Sequence, residues 1–420
     1  MPRPSTTNSL TRNRDFNVFW LGQSLSFLGD AFSIVAIPLL VLEITGSLTQ
    51  MGVVTALIGV GSLVAGIAAG PIVDRVDRRK LMIRCDLGRA LVYGLVPVAW
   101  WLFGPQLGFV YAVTLIGAAL AMLFGVAYIT AVANLVDREQ IVDANGRLQA
   151  TYALAFILGP LLAGVVSSRF GPVLAIGIDG LTFIASAVSL RLLRLRQAAA
   201  YRPLADEEPG GRSQEFLAGV RFLFGSSLFR WLTILTGVLV FASTGVTDLL
   251  IFYLKEDLGQ TDRVVGIVFG IASIGTMLSG LLAPRLRRSF GFGVCYIGGF
   301  ALEALALIVL GVGASLPILS AFWAVSAFGG STRGVMTMTL RQELTPDHLL
   351  GRVTAAFWTI FAVPGPLGAL VLTTFGARVG TRTALLAVGV MVLGTAVISL
   401  FTPVRAFAPG DVSQESGVGR

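Results

Sequence analysis

Twelve long apolar stretches, separated by short clusters of charged residues, glycine or proline, dominate this sequence. Each is long enough to cross a bilayer, which takes about 20 mostly apolar residues in a helix. Only 13% of the residues are charged, whereas soluble domains are about one-quarter charged. The stretches do not alternate as membrane β-strands do. We therefore predict an all-α membrane protein with twelve transmembrane helices, at residues 16–43, 49–73, 81–103, 108–136, 147–168, 172–195, 228–254, 264–284, 293–313, 316–340, 353–375 and 382–403.

The basic residues fall mainly on one side of the predicted membrane. The loops on the opposite side carry only five, namely Arg169, Lys255, Arg263, Arg378 and Arg382. Under the positive-inside rule, both termini are predicted to lie in the cytoplasm. This asymmetry accounts for the formal charge of +8. The arginines are spread over several loops rather than gathered in one patch, so no nucleic-acid partner is predicted.

Two pairs of spans repeat each other in the same order. Gly52, Gly61 and Gly66 of the second span have the same spacing as Gly266, Gly275 and Gly280 of the eighth. The fifth and eleventh spans each open with Gly-Arg and contain a Gly-Pro pair. The repeats predict two parallel six-helix halves, at residues 1–195 and 216–420, joined by a flexible cytoplasmic linker at 196–215. The segment SQEFLAGVRFLFG after the linker fits two alternatives, a short amphipathic helix on the inner face or the start of span seven.

The loop between spans two and three reads GPIVDRVDRRK, from Gly70 to Lys80. It resembles the Gly-x-x-x-Asp-Arg-x-x-Arg-Arg motif of the major facilitator superfamily, and the twelve spans, the repeat and the long central loop extend the resemblance over the whole chain. Within the superfamily, FLGDAFSIVAIPLLVLEITGS and PDHLLGRVTAAFWTIFAVPGPLG resemble the macrolide-efflux and enterobactin-exporter branch. The second-half copy of the loop keeps only its basic part, APRLRR.

The loop motif predicts a gate. Gly70 permits close helix approach, and Asp74 is placed to meet the positive N-terminus of a helix from the other half, such as span eleven. Arg75, Arg78 and Arg79 can pair with acids or with lipid phosphates. We interpret these residues as a latch that closes the cytoplasmic side. The alternative is a plain positive-inside anchor, which explains the arginines but not Asp74.

The fifth span carries Gly159, Pro160 and Gly164. This stretch partly matches the antiporter motif of drug exporters, although the upstream glycines of that motif are missing. Pro160 is expected to kink the helix, and the glycines to permit tight packing. Ordinary helix packing explains the stretch equally well, so it favours export only modestly.

Ionisable residues inside the spans are candidate functional sites, because a charge at that depth is costly. The candidates for proton coupling or substrate binding are Asp30, Asp179, Asp248, Glu303 and Arg333. The resemblance implies that spans one and seven line the central cavity, which makes Asp30 the best candidate to bind either a proton or a cationic substrate. The alternative for each is a structural ion pair. Asp86 and Arg89, one helical turn apart, are predicted to form a local salt bridge.

Several activities are excluded or unsupported. The sequence has no phosphate-binding Gly-x-x-x-x-Gly-Lys loop, no metal-ligand spacing and no catalytic motif around its single histidine. We therefore predict no catalytic residues, no metal and no cofactor. The two cysteines indicate no disulfide framework.

Together these features predict a secondary transporter that works by alternating access, a multi-pass protein of a bacterial inner membrane and a monomer among membrane lipids. Through the resemblance, the expected activity is proton-driven export of amphipathic drugs or a siderophore-like molecule. The alternatives are a proton-coupled importer of a small metabolite, because the same acid can couple either direction, or a non-transporting membrane sensor.

Overall fold

The computed structural model describes residue 10 and residues 13–133, 135–136, 140–193 and 212–405. Within these ranges nearly every residue is helical and no strand occurs. An apolar solvent leaves backbone groups no partner but each other, and a helix satisfies them within one segment. The all-α prediction is thus confirmed. Residues 196–211 of the predicted linker lie outside the described ranges.

The first six helices correspond one to one with the first six predicted spans. Their bounds are α1 Arg14–Thr45, α2 Leu48–Arg75, α3 Arg78–Phe103, α4 Leu107–Ala133, α5 Ile141–Phe170 and α6 Pro172–Leu192. A polar cap begins α1, where the Asn13 side chain accepts a hydrogen bond from the Phe16 N–H at 3.1 Å. Gly46 ends α1 in the left-handed conformation, with φ of 58°.

The remaining six spans are more broken than predicted. The helices are α7 Arg212–Gly225, α8 Ser227–Ser243, α9 Val246–Phe252, α10 Asp262–Val312, α11 Leu316–Leu344, α12 Asp347–Phe361, α13 Pro364–Val379 and α14 Thr381–Leu400, with a π-helical turn at Tyr253–Asp257. Span seven is α8 plus α9, and span eleven is α12 plus α13. Spans eight and nine share α10, which departs from helical geometry at Gly291, where φ is 78°. The twelve-span fold is therefore confirmed.

The segment after the linker forms a helix of its own, α7. Ser226 is extended, with φ of −89° and ψ of 138°, and separates α7 from α8. This geometry excludes a continuous start of span seven. Helix α7 packs along α12, and Gly219 lies against the backbone of Arg352 so closely that a side chain there would collide with it.

By mutual contact the chain divides into two compact units. Of the described residues, those up to 46 and those in 57–193 and 261–266 form one unit, and those in 47–56, 212–260 and 267–405 form the other. In the first unit α1 and α3 both pack along α6, around the fully buried Phe16, Phe19 and Phe183. In the second unit the largest fully buried side chains include Tyr253, Tyr296 and Phe300.

Candidate functional site

Asp30 of α1 and Arg89 of α3 form an ion pair inside the first unit. The Asp30 side chain keeps 37% of its surface exposed, whereas that of Arg89 keeps only 5%. The Arg89 guanidinium also lies 3.7 Å above the centre of the Phe183 ring on α6, a favourable cation–π contact. In this structure Arg89 is held by its own helix α3, by Asp30 of α1 and by Phe183 of α6. The Asp30 carboxylate is the part of the ion pair that remains partly exposed. The local salt bridge predicted between Asp86 and Arg89 is wrong for this structure, because Asp30 lies within reach and takes the guanidinium.

Asp179 of α6 is fully buried and is held by hydroxyl groups. Ser33 of α1 donates to its Oδ2, and Thr182 lies 3.3 Å from its Oδ1. The absence of a side chain at Gly29 permits this approach, because a Cβ there would collide with Thr182 and Asp179. Hydroxyl donors stabilise a buried carboxyl without adding charge.

Asp86 of α3 is the site residue whose role the sequence argument missed. Its side chain is fully buried, and neither carboxyl oxygen has a hydrogen-bond partner among the described residues. Ser186 and Arg89 are its polar neighbours. Ser186 itself accepts a hydrogen bond from the Gln23 amide at 2.9 Å. The sequence does carry a signal, since Asp86 lies one helical turn from Arg89, but this spacing by itself predicts a complete salt bridge between the two.

The second unit contains its own buried ion pair. Arg333 of α11 donates to Glu303 of α10 at 2.8 Å, and Ser243 of α8 donates to the other Glu303 oxygen at 3.0 Å. The Arg333 guanidinium lies 4.5 Å from the Phe300 ring centre. Both carboxyl oxygens and the cation thus have partners, an arrangement compatible with the structural ion pair given as the alternative for these residues.

The two ion pairs occupy related positions in the repeat. Arg89 follows Gly66 at the same interval at which Glu303 follows Gly280. The repeat therefore places a basic residue, Arg89, in span three where span nine has an acidic residue, Glu303. The partners have the opposite charges: Asp30 pairs with Arg89, and Arg333 pairs with Glu303. If the glycine alignment of spans two and eight is continued into spans three and nine, the sequence alone predicts that Arg89 and Glu303 occupy equivalent positions.

Asp248 of α9 lies in a discontinuous helix. It is buried and accepts a hydrogen bond from Thr55 at 2.6 Å; both residues belong to the second unit. The break at Thr244 and Gly245 precedes it, and a π-helical turn follows it. Interrupted helices and π-helical turns are frequent at transporter binding sites.

The predicted packing residues of span five all lie at close helix contacts in the first unit. A Cβ on Gly159 would collide with Ala31 of α1, and one on Gly164 would come within 2.8 Å of the Gly266 Cα atom. Gly266 in turn faces the carbonyl of Pro160. Backbones that approach this closely require residues without side chains.

The basic loop is described only in part. Arg79 donates from Nε to the Leu190 carbonyl at 2.7 Å and from Nη2 to the Arg191 carbonyl. It therefore binds the last carbonyls of α6, where a cation is favourable. Arg78 is the first residue of α3. The side chains of Asp74 and Arg75, and the predicted latch contact at Gly70 and Asp74, lie outside the described part of the structure.

The APRLRR segment of the second half, which corresponds to the basic loop, also contributes an ion pair. Arg287 donates to both carboxylate oxygens of Glu343, one at 2.8 Å. This hydrogen bond lowers the pKa of Glu343. The Glu343 side chain remains 49% exposed, so solvent screens the pair.

The fold and these clusters define a class of protein. Nine helices in the described ranges are long and apolar enough to cross a membrane, and several ionisable side chains of the described residues are buried. No group of three or more metal-ligating side chains occurs among the described residues. Such a chain is a multi-pass membrane protein. It belongs to the Major Facilitator Superfamily, whose family profile matches residues 19–259 and 233–418, and this membership identifies it as a transporter rather than an enzyme.

Its relatives include named efflux proteins. The chain is 26% identical over 398 residues to the multidrug efflux pump Tap of Mycolicibacterium fortuitum, covering 89% of this chain and 92% of the relative. It is also 26% identical over 410 residues to the enterobactin exporter EntS of Salmonella typhimurium (strain LT2), covering 93% of each. The predicted resemblance to the drug-efflux and enterobactin-exporter branch is thus confirmed.

Solved structures share the fold at lower identity. A mutant of the nucleoside transporter NupG has a TM-score of 0.78 at 12% identity, covering 92% of this chain and 99% of its own. A bacterial homologue of the iron transporter ferroportin, in an inward-facing state, has a TM-score of 0.70 at 17% identity, covering 94% and 98%. These neighbours support the architecture alone.

Proposed function

We propose that this protein is a proton-driven exporter of amphipathic small molecules, drugs or a siderophore-like compound, in a bacterial inner membrane. The observation that carries the proposal is the Asp30–Arg89 pair, which is buried on the arginine side and partly open on the aspartate side. A carboxylate so placed can be reached by a proton or by a cationic substrate while its counter-ion stays buried in the bundle. The efflux relatives support the outward direction.

The chemistry of exchange follows from charge balance. In this structure Asp30 is neutralised by Arg89. A proton on Asp30 forms an O–H bond and removes the negative charge, which weakens the hold of Arg89 on α1. A cationic substrate at Asp30 would instead compete with the proton. Proton binding and substrate binding at one carboxylate therefore exclude each other, and that exclusion is the thermodynamic basis of antiport.

The gate is proposed as the loop from Gly70 to Arg79, acting in a protein whose termini lie in the cytoplasm. Arg79 anchors this loop to the end of α6, which supports a fixed position for the start of α3. In the proposal Asp74, Arg75 and Arg78 engage the partner half when the cytoplasmic side closes. The protein acts as a monomer surrounded by lipid, and the broken spans seven and eleven supply the flexible points.

The test uses inside-out vesicles with an acidic interior and a pH-sensitive dye. Macrolides, tetracyclines, cationic dyes and catechol siderophores are added in turn to wild type, Asp30→Asn and the matched control Glu43→Gln. Glu43 is an exposed carboxylate on the same helix. We expect a compound to dissipate the gradient in wild type and in the control, but not in Asp30→Asn.

Two outcomes contradict the proposal. Equal dissipation by wild type and Asp30→Asn would make Asp30 structural and move coupling to Asp179, Asp248 or Glu303. Substrate accumulation that follows protons in the same direction, measured with labelled compounds, would show symport and thus import.

A further inference from the structure

The buried cluster of the first unit contains more acids than it can balance. Asp30, Asp86 and Asp179 lie near one guanidinium, that of Arg89. Burying an uncompensated charge is strongly unfavourable, because nothing replaces the hydration that the charge loses. Arg89 can neutralise one carboxylate at a time, so the other two need donors or protons.

The three carboxyls differ in what surrounds them. Asp30 has Arg89, and Asp179 has the hydroxyls of Ser33 and Thr182. Among the described residues, neither Asp86 oxygen has a partner in hydrogen-bonding geometry, and of its polar neighbours Ser186 and Arg89 the arginine is paired with Asp30. The other titratable groups facing the cluster are Cys85 and Tyr93 on α3 and Tyr152 on α5, and none of them supplies a positive charge. Of the three carboxyls, Asp86 is therefore the one without a partner that balances a negative charge.

Arg89 can reach Asp86 without leaving its helix. Residues three apart on a helix have Cβ atoms about 5–6 Å from each other, so a change of Arg89 rotamer suffices. The alternative salt bridge of Asp86 and Arg89 is thus compatible with the same backbone. Formation of that bridge would require Asp86 to be ionised and would release Asp30.

The polar side chains form a row along the bundle. Gln23 lies beside Ser186, whereas Ser33 lies beside Asp179, so α1 and α6 run antiparallel. From Gln23 to Ser33 the row extends about 15 Å at 1.5 Å per residue, roughly half the hydrocarbon thickness. Asp86 lies toward the end where α3 begins, and Asp30 and Asp179 lie further along the bundle.

We propose that Arg89 is a two-position switch between Asp30 and Asp86, and that Asp86 is the second proton-binding carboxyl of the transport cycle. A proton that binds Asp30 forms an O–H bond there and frees Arg89. Arg89 then pairs with Asp86, whose O–H bond breaks, and that proton leaves toward the end of the bundle where α3 begins. Charge and protons balance, with one proton gained and one lost. This inference deepens the proposed function and rests on it.

The test is an infrared titration of the full-length protein in liposomes, with no substrate present, which follows the carbonyl signal of protonated carboxyls as the pH is raised. In wild type the signal of protonated Asp86 should persist at neutral pH, because Arg89 is held by Asp30. The variant Asp86→Asn should lack this signal. The variant Asp30→Asn should lose it at neutral pH, because Arg89 then pairs with Asp86 and holds it ionised. Asp86→Glu keeps a carboxyl and should show a shifted carbonyl signal in place of the Asp86 signal, which guards against a folding defect.

The outcomes separate the two proposals. An Asp86 that is already ionised in wild type at neutral pH, or an Asp86 carbonyl signal that persists in Asp30→Asn at neutral pH, overturns the switch. Proton-coupled efflux in the vesicles together with either of these infrared results leaves the proposed function intact and removes only the switch. The expected infrared results without proton-coupled efflux leave the switch intact and refute the proposed function.

Discussion

Mutations of the Glu303–Arg333 pair can test whether a buried ion pair serves stability or transport. The two side chains expose only 8% and 10% of their surface, and the pair is completed by Ser243 and by the Phe300 ring. Replacing Arg333 alone, as in Arg333→Met, leaves the Glu303 charge buried without a counter-ion. Such a loss costs about 3–5 kcal/mol, to which the lost cation–π contact adds about 0.5–2 kcal/mol.

Removing both charges should cost far less. The double variant Glu303→Gln with Arg333→Met keeps an acceptor for Ser243 and buries no net charge, and such replacements are often neutral. Thermal unfolding of the purified protein in detergent measures the single variants and the double variant as a mutant cycle. The exposed pair Arg287–Glu343 is the matched control, where removal of one partner should cost about 0–1 kcal/mol.

If the Glu303–Arg333 pair is purely structural, proton-driven transport should not depend on its charges. The double variant should keep proton-driven transport near the wild-type level, since the proposed coupling lies at Asp30. A double variant as unstable as Arg333→Met would refute the desolvation argument. A stable double variant without transport would assign a functional role to the pair.

Three further outcomes follow from individual contacts. Gly159→Leu should overpack the contact with Ala31 and cost about 1–3 kcal/mol, seen as a lower unfolding temperature, whereas Gly125→Leu, where a Cβ meets nothing, should be mild. Arg79→Ala should lose the hydrogen bonds to the α6 carbonyls and destabilise by about 1–3 kcal/mol; an unchanged unfolding temperature would show that α6 needs no cap. Arg287 lowers the pKa of Glu343, so this pair stabilises the protein at pH values above the ordinary glutamate pKa and loses that contribution as the pH falls through the lowered pKa. The small difference in unfolding temperature between Glu343→Gln and wild type should therefore persist at neutral pH and vanish in acid.

Much of the architecture could be predicted because lipid solvates each span separately. The length and apolar composition of a stretch decide whether it crosses the membrane, and no partner helix is needed for that decision. The glycine register of spans two and eight also lies in the sequence as a one-dimensional pattern. The breaks at Thr244 and at Ala362 gave no signal, since Gly and Pro are common in unbroken membrane helices too.

The sequence by itself thus determined the membrane class, the number of spans and the residues whose charge is costly. Only the tertiary structure decided which charges meet. Asp30 and Arg89 lie 59 positions apart, and their contact depends on the close packing of α1 and α3 against α6. Arg89 had a nearer candidate in Asp86, and local spacing favoured it. The guanidinium pairs with Asp30 instead because helix packing, not separation along the chain, sets the distance between side chains.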